Sequence, residues 1–259
     1  MVMAEKNLKK KLLDKELTVG SWITQGHTGV AEIMARAGFD WLTVDMEHSA
    51  ITLDLAQELI RVIDLAGNVP LVRVGENAPN LIKRVMDAGA RGVIVPMVNT
   101  KAEAERAVSA VKYPPLGTRG VGLARAQGYG QAFEQYRNWV SAESVVVVQI
   151  EHIKAVENLE GILAVDGVDA FFVGPYDLSG SLGCPGEFGH KDVEAALKHV
   201  LEVSKKLGKI AGFHVIPPEA QALIEKAKAG YRFLGFSLDT LYLATACRDQ
   251  LKMAKEGLK

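Results

Sequence analysis

The chain has 259 residues, 48% of them apolar, with 30 basic and 31 acidic side chains, so it can bury a substantial core and carries almost no net charge. Near-neutrality gives no electrostatic reason to bind nucleic acid or an anionic membrane. The only cysteines, Cys184 and Cys247, exclude a disulfide framework and a thiolate metal cluster and fit a reducing cytoplasm. The opening MVMAEKNLKKKLLDK has charges but no apolar core, and no stretch reaches membrane-spanning length, so an unexported cytoplasmic protein is expected.

Strand-like and helix-like segments alternate with no composition break or linker between them. A charged amphipathic helix over 1–16 is followed by a strand over Thr18–Thr24 and a helix over Gly29–Ala37 that ends at Gly38. Next come a strand over Trp41–Met46, a helix over Leu53–Ala66, a strand over Pro70–Val74, and a helix over Pro79–Ala88 stopped at Gly89. Gly92–Val98 reads as a strand and Lys101–Val111 as a helix. Tyr113–Ser144 is long and rich in Gly and Arg, with a short helical piece near Gln131–Val140.

Val145–Ile150 and Ala170–Val173 are apolar runs too short for helices, joined by a helical Lys154–Ala164, and they read as buried strands of one βαβ unit. Asp192–Leu207, Pro218–Ala229 and Asp239–Lys255 read as helices, interleaved with strands over Lys209–Val215 and Arg232–Leu238. Eight strand–helix alternations predict one (β/α)8 barrel over 1–259, with the closing helix over 239–259. A doubly wound sheet is the competing architecture. It favours a Gly-rich turn after the first strand, where this chain has Gln25-Gly26-His27-Thr28-Gly29.

In such a barrel the carboxyl ends of the strands form the active-site mouth. Those ends carry Asp45, Glu47 and His48, Arg73, Gln149 and Glu151, Asp177, His214, and Ser237 with Asp239. Each has a structural explanation. Glu151 and Asp177 can cap the helices that follow them, Arg73 can balance Asp45 or Glu47, and Asp87 reads as a solvated helix residue. Independent structural roles would scatter such groups over both ends of the barrel, and their convergence favours a site.

Two carboxylates without cysteines suit a hard divalent ion such as Mg2+, Mn2+ or Co2+, and leave positions open for a bidentate 2-oxo acid. That ion would polarise the ketone, Arg73 would oppose the enolate charge and His48 would move the proton, predicting carbon–carbon cleavage or formation through a metal-bound enolate. No lysine falls where a Schiff base could form inside the barrel, and no Gly-rich phosphate cradle follows the last two strands.

Six segments in order resemble the metal-dependent (class II) pyruvate aldolases of the HpcH/HpaI family, which includes the 4-hydroxy-2-oxoheptanedioate aldolases. They are Gly38–His48, Pro70–Val74, Val95–Val98, Tyr113–Gly122, Gln149–Glu151 and Gly174–Ser179. The resemblance runs from about Gly20 to the last helix.

It implies that Glu151 and Asp177 are the metal ligands, that Arg73 contacts the oxo oxygen, and that His48 is the acid–base group paired with Asp87. It also implies that Asp45 and Gln149 lie beside the oxo acid, and that amides around Gly174, Pro175, Tyr176 and Asp177 hold its carboxylate. The expected reaction is reversible cleavage of a 4-hydroxy-2-oxo acid, such as 4-hydroxy-2-oxoheptanedioate or a 2-keto-3-deoxy sugar acid, to pyruvate and an aldehyde. A hexamer built as a trimer of dimers, with the last helix exchanged between neighbours, is implied as well.

Arg125 and Tyr129 in the long loop and His214 on the seventh strand depart from the family pattern and are candidates for aldehyde selection. Two other readings remain open here: a lyase acting on acyl-CoA esters, and a non-catalytic metal- or oxo-acid-binding barrel.

Overall fold

The computed structural model describes residues 7–259. Eight parallel strands close on themselves in chain order. They are β1 (Thr18–Ile23), β2 (Trp41–Asp45), β3 (Val69–Arg73), β4 (Gly92–Val95), β5 (Val145–Ile150), β6 (Ala170–Val173), β7 (Ile210–Val215) and β8 (Phe233–Leu238). Among the described residues, no helix is long and apolar enough to cross a membrane.

Alternation along each strand builds two cores. In β2, Leu42 and Val44 face outward into the layer packed against the helices, whereas Trp41 joins the barrel interior. The interior is filled by Trp22, Leu71, Ile94, Val147 and Phe172 among others, with Trp41 and Phe233 stacked at 4.3 Å.

The amphipathic opening becomes α1 (Leu8–Leu13); the expected residues before position 7 lie outside those described. Asn7 caps it by accepting from the Lys10 N–H, and its buried Leu8 and Leu12 join the barrel-interior cluster. Lys9 pairs with Asp169 and Lys11 with Asp40, tying the helix to segments that lead into strands. The amino-terminal end of the barrel is thereby plugged.

The outer helices follow the expected order: α2 (Thr28–Arg36), α3 (Leu53–Leu65), α4 (Pro79–Ala88), α5 (Lys101–Val111) and α6 (Phe133–Glu143), and later α10 (Lys191–Leu207), α11 (Ala220–Ala229) and α12 (Asp239–Gly257). Three local differences have physical causes. The fourth strand stops at Val95 rather than Val98, because Pro96 has no N–H to donate and Met97 turns into the left-handed region at φ 52°. The single helix expected over Lys154–Ala164 is broken at Asn158 into α7 (Ile153–Glu157) and α8 (Leu159–Leu163). A short α9 (Pro175–Ser181), started by the proline, forms directly after β6 where the sequence shows only a turn.

Candidate active site

The carboxyl ends of β2 and β3 are in register, with Asp45 opposite Arg73. Arg73 grips Asp45 with two hydrogen bonds, Nε to Oδ1 at 2.9 Å and Nη2 to Oδ2 at 2.6 Å. Its Nη1 lies 3.2 Å from Glu47 Oε2, and its guanidinium stacks over Trp22 at 4.6 Å. Asp45 is 2% exposed and also accepts from the Glu47 and His48 amides. Burial works to raise its pKa, but the arginine and the amides prevail and hold the carboxyl below its ordinary value.

Glu151 follows β5 and is 3% exposed. Its Oε1 accepts from the Met97 amide at 2.7 Å, and its Oε2 from Gln149 Nε2 at 2.5 Å. The left-handed turn at Met97 aims that amide at the carboxylate. A side chain at Gly174 would place its Cβ 2.9 Å from Glu151 Oε2, so this position leaves room for the acid. Burial, with the negative charges of Glu47 and Asp177 close by, pushes the Glu151 carboxyl up to about 7 despite the Met97 amide and Arg73. Glu47 is likewise pushed up to about 7, by burial and by the Asp45 and Asp177 charges working against Arg73.

Asp177 sits in the first turn of α9, and no side chain caps that turn. Three carboxylates, Glu47, Glu151 and Asp177, therefore face one region with Arg73 as the nearby cation. Among the described residues no group of three or more His, Cys, Asp or Glu side chains is placed to hold a metal ion.

The structure thus brings Asp45, Arg73, Gln149, Glu151 and the Gly174–Asp177 turn together at the mouth. His48 is at the same end, its side chain 65% exposed, with Nε2 3.9 Å from Glu47 Oε2. His214 is placed lower, inside the barrel between Trp22 and Phe172 at ring distances of 5.2 and 6.0 Å.

Three expected placements do not hold within the protomer. Asp87 lies in the last turn of α4, at the opposite end of the barrel from His48, because each helix runs back antiparallel to its strand. There it accepts from Arg119 Nη2 at 2.5 Å and from Gln127. Arg125 reaches the same far end, donating to Asp64 Oδ2 at 2.8 Å and to the Ala88 carbonyl at 3.2 Å, and lines a cavity of about 660 Å³ there. Tyr129, four residues on, is 66% exposed in the same loop. The loop descends the outside of the barrel instead of folding over its mouth.

Trp22 and the Met97 amide were not singled out from sequence, and Glu47 was placed at the mouth there without a role of its own in the chemistry. Glu47 and Trp22 carry a readable signal, one beside Asp45 and the other inward-facing on β1, whereas the Met97 contact is made by backbone and leaves none.

The sequence pattern of the HpcH/HpaI aldolase/citrate lyase family matches residues 18–244. A 2-keto-3-deoxy-L-rhamnonate aldolase from Klebsiella pneumoniae is 39% identical over 250 residues, spanning 95% of this chain and 92% of that protein. The crystal structure of an HpcH/HpaI aldolase/citrate lyase family protein from Burkholderia cenocepacia superposes with a TM-score of 0.92 at 36% identity, covering 96% of this chain and 99% of that one. An HpcH/HpaI aldolase from Desulfitobacterium hafniense gives 0.88 at 33% identity, covering 96% of each chain. From the closed barrel, the acid–arginine mouth and these likenesses, the chain belongs to the HpcH/HpaI aldolase/citrate lyase family, as an enzyme of its aldolase branch.

Proposed function

We propose that the enzyme reversibly cleaves a 4-hydroxy-2-oxo acid of the 2-keto-3-deoxy sugar-acid kind to pyruvate and an aldehyde, using a divalent cation held by Glu151 and Asp177. The name of the 39%-identical relative supports this substrate class. The observation that carries the reading is the placement of Glu151, buried at the mouth with its two oxygens held by the Met97 amide and Gln149, on one rim with Asp177 and with Glu47 beside Arg73. Hard oxygen donors with an unbalanced negative charge suit Mg2+, Mn2+ or Co2+. A cation bound there supplies Lewis acidity at the oxo oxygen of the substrate.

The chain's own groups do the rest. Open amides in the first turn of α9, at Tyr176 and Asp177, hold the substrate carboxylate, with Pro175 setting that turn and Gly174 leaving room for Glu151. Gln149 and the Met97 amide fix the orientation of Glu151. Asp45 fixes Arg73, whose charge opposes the negative oxygen that develops as the C3–C4 bond breaks. His48, open to solvent, takes the proton from the C4 hydroxyl, and a proton delivered to C3 completes pyruvate.

Pairing of His48 with an Asp87 carboxylate then requires contact between two protomers. That fits an exchanged-helix hexamer, as does α12, which buries only Asp239 and exposes Leu243, Leu251 and Met253. The free thiols Cys184 and Cys247 fit a cytoplasmic home. The acyl-CoA reading loses its basic groove, because Arg119 and Arg125 are committed to Asp87 and Asp64 at the far end.

The test is exchange of pyruvate methyl protons with solvent, followed by NMR with Mg2+, Mn2+ or Co2+ and with a chelator. Cation-dependent exchange is expected without any aldehyde. Absence of exchange with every ion would sink the proposal.

A further inference from the structure

The end of the barrel far from the mouth carries two adjoining cavities with basic walls, although the chain as a whole is close to neutral. One, of about 480 Å³, has Lys9, Lys15, Lys112 and Lys209 against Asp166 and Asp169. The other, of about 410 Å³, has Lys15, Lys198, Lys205, Lys209 and Arg232 against Glu202. Lys15, Gly208 and Lys209 line both, so the two cavities meet there.

Helix carboxyl ends gather at this end of a barrel, and their carbonyls account for part of the basic character. Lys112 Nζ donates to the Val140 and Ser141 carbonyls at 2.7 and 3.1 Å, Lys209 Nζ to Val168 at 3.2 Å, and Arg232 Nη1 to Ala227 at 2.8 Å. Such bonds satisfy the donors but leave the positive charges unbalanced. Among the described residues none of Lys15, Lys112, Lys205, Lys209 and Arg232 has a carboxylate partner. Burial, with the Lys9 charge beside it, lowers the Lys112 pKa to about 8. Lys15 adopts the left-handed region at φ 57°, which costs a non-glycine residue free energy, and its ammonium has no partner among the described residues to offset that cost. Gly208 lets it lie between the cavities, since a Cβ there would stand 3.2 Å from Lys15 Nζ.

We infer that the two cavities form one binding site for a small organic anion carrying two or more phosphates on an apolar body, of which a nucleoside diphosphate is the representative. The phosphates lie at the shared wall, where Lys15 and Lys209 stand with Lys205 close by. The body rests on Leu13, Leu116 and Leu207 of the larger cavity, three leucines that are exposed in the free protein. A concave site suits a small molecule better than a membrane surface, and docking of a second copy of the chain would set like charges against each other. Bound there, the anion neutralises cations from α1, α10 and the residue before β7, and so ties the plug of the barrel to its wall. The site is at the opposite end from the aldolase chemistry and does not depend on that reading.

The experiment is calorimetric titration of the full chain with ADP at low salt and in chelator, so that no cation at the mouth draws phosphate, with adenosine and inorganic phosphate as controls. ADP is expected to bind at least tenfold more tightly than either control, and its affinity to fall as salt is raised and the exposed charges are screened. Lys15→Glu combined with Lys205→Glu should weaken ADP binding at least tenfold without lowering the melting temperature of the free protein, since neither ammonium has a partner within it. The inference is overturned if ADP does not bind, or binds no better than inorganic phosphate, which would mean an adventitious ion only. It is equally overturned if the double variant binds ADP as the parent does, or if the protein ignores ADP and gathers on vesicles of anionic lipid. The titrations of the intact chain need no variant, so misfolding of one cannot shelter the idea.

Discussion

Arg73 and Asp45 face each other across neighbouring parallel strands and are joined by a two-point ion pair, so the cation at the mouth is held by the sheet itself. Lysine at 73 would keep the charge but lose the fork that meets both carboxylate oxygens. Arg73→Lys is expected to lower kcat for cleavage by about 100-fold or more, as removal of a fixed oxyanion donor does. Asp45→Asn breaks the pair while leaving Arg73 buried, and is expected to destabilise by about 3 kcal/mol, the lower end of the range for buried pairs because Glu47 remains. Steady-state kinetics and urea unfolding check the two.

Glu47 and Glu151 keep their protons to about pH 7 in the folded chain, whereas the unfolded carboxyls release theirs near 4.5. Between those values the folded state binds more protons than the unfolded state, so the cation-free protein loses stability as pH rises through that window. A series of melting curves from pH 5 to pH 7.5 in chelator should show Tm falling. Glu151→Gln should flatten that decline, and saturating Mn2+ should abolish it. A Tm that rises over this range would contradict the placement of these carboxyls.

Gly174→Ala tests the cradle around Glu151. The added methyl lands 2.9 Å from Oε2 and 3.2 Å from the Glu151 Cβ, so the carboxylate must turn away. Mn2+ affinity measured by calorimetric titration is expected to fall at least tenfold, with thermal stability changed far less.

Arg125→Ala separates the two ends of the barrel. The lost bonds to Asp64 and the Ala88 carbonyl should lower stability by about 1 kcal/mol. KM for the aldehyde should stay within twofold of the parent value, since the side chain is not at the mouth of its own protomer. A large, aldehyde-specific change in KM would instead place this arginine at a neighbouring protomer's site.

The barrel was legible because its signals are local. Short β-branched runs such as Val145–Val148, helix stops at Gly38 and Gly89, and acids directly after strands each fix one step of the alternation. Those acids also located most of the site, because a parallel barrel gathers every strand end on one rim. What escaped depends on contacts distant in sequence. Nothing near Arg125 announces that its loop runs down past α4 to meet Asp64, 61 positions earlier. Asp87 was drawn toward His48 by likeness to relatives, whereas in the protomer the end of α4 hands it to Arg119. The support of Glu151 by the Met97 amide comes from a backbone turn, which side-chain patterns do not encode.

The side chains packed through the barrel interior, with the leucines of α1 beneath them, make the enzyme a well with one opening. Traffic in such a well is last in, first out. The oxo acid has to settle before an aldehyde can reach it, and after cleavage the aldehyde blocks the exit until it leaves. Inhibition by pyruvate should therefore be competitive with the substrate undergoing cleavage, and inhibition by the aldehyde noncompetitive. A packed interior that takes no part in the chemistry would thus set the kinetic order of the reaction.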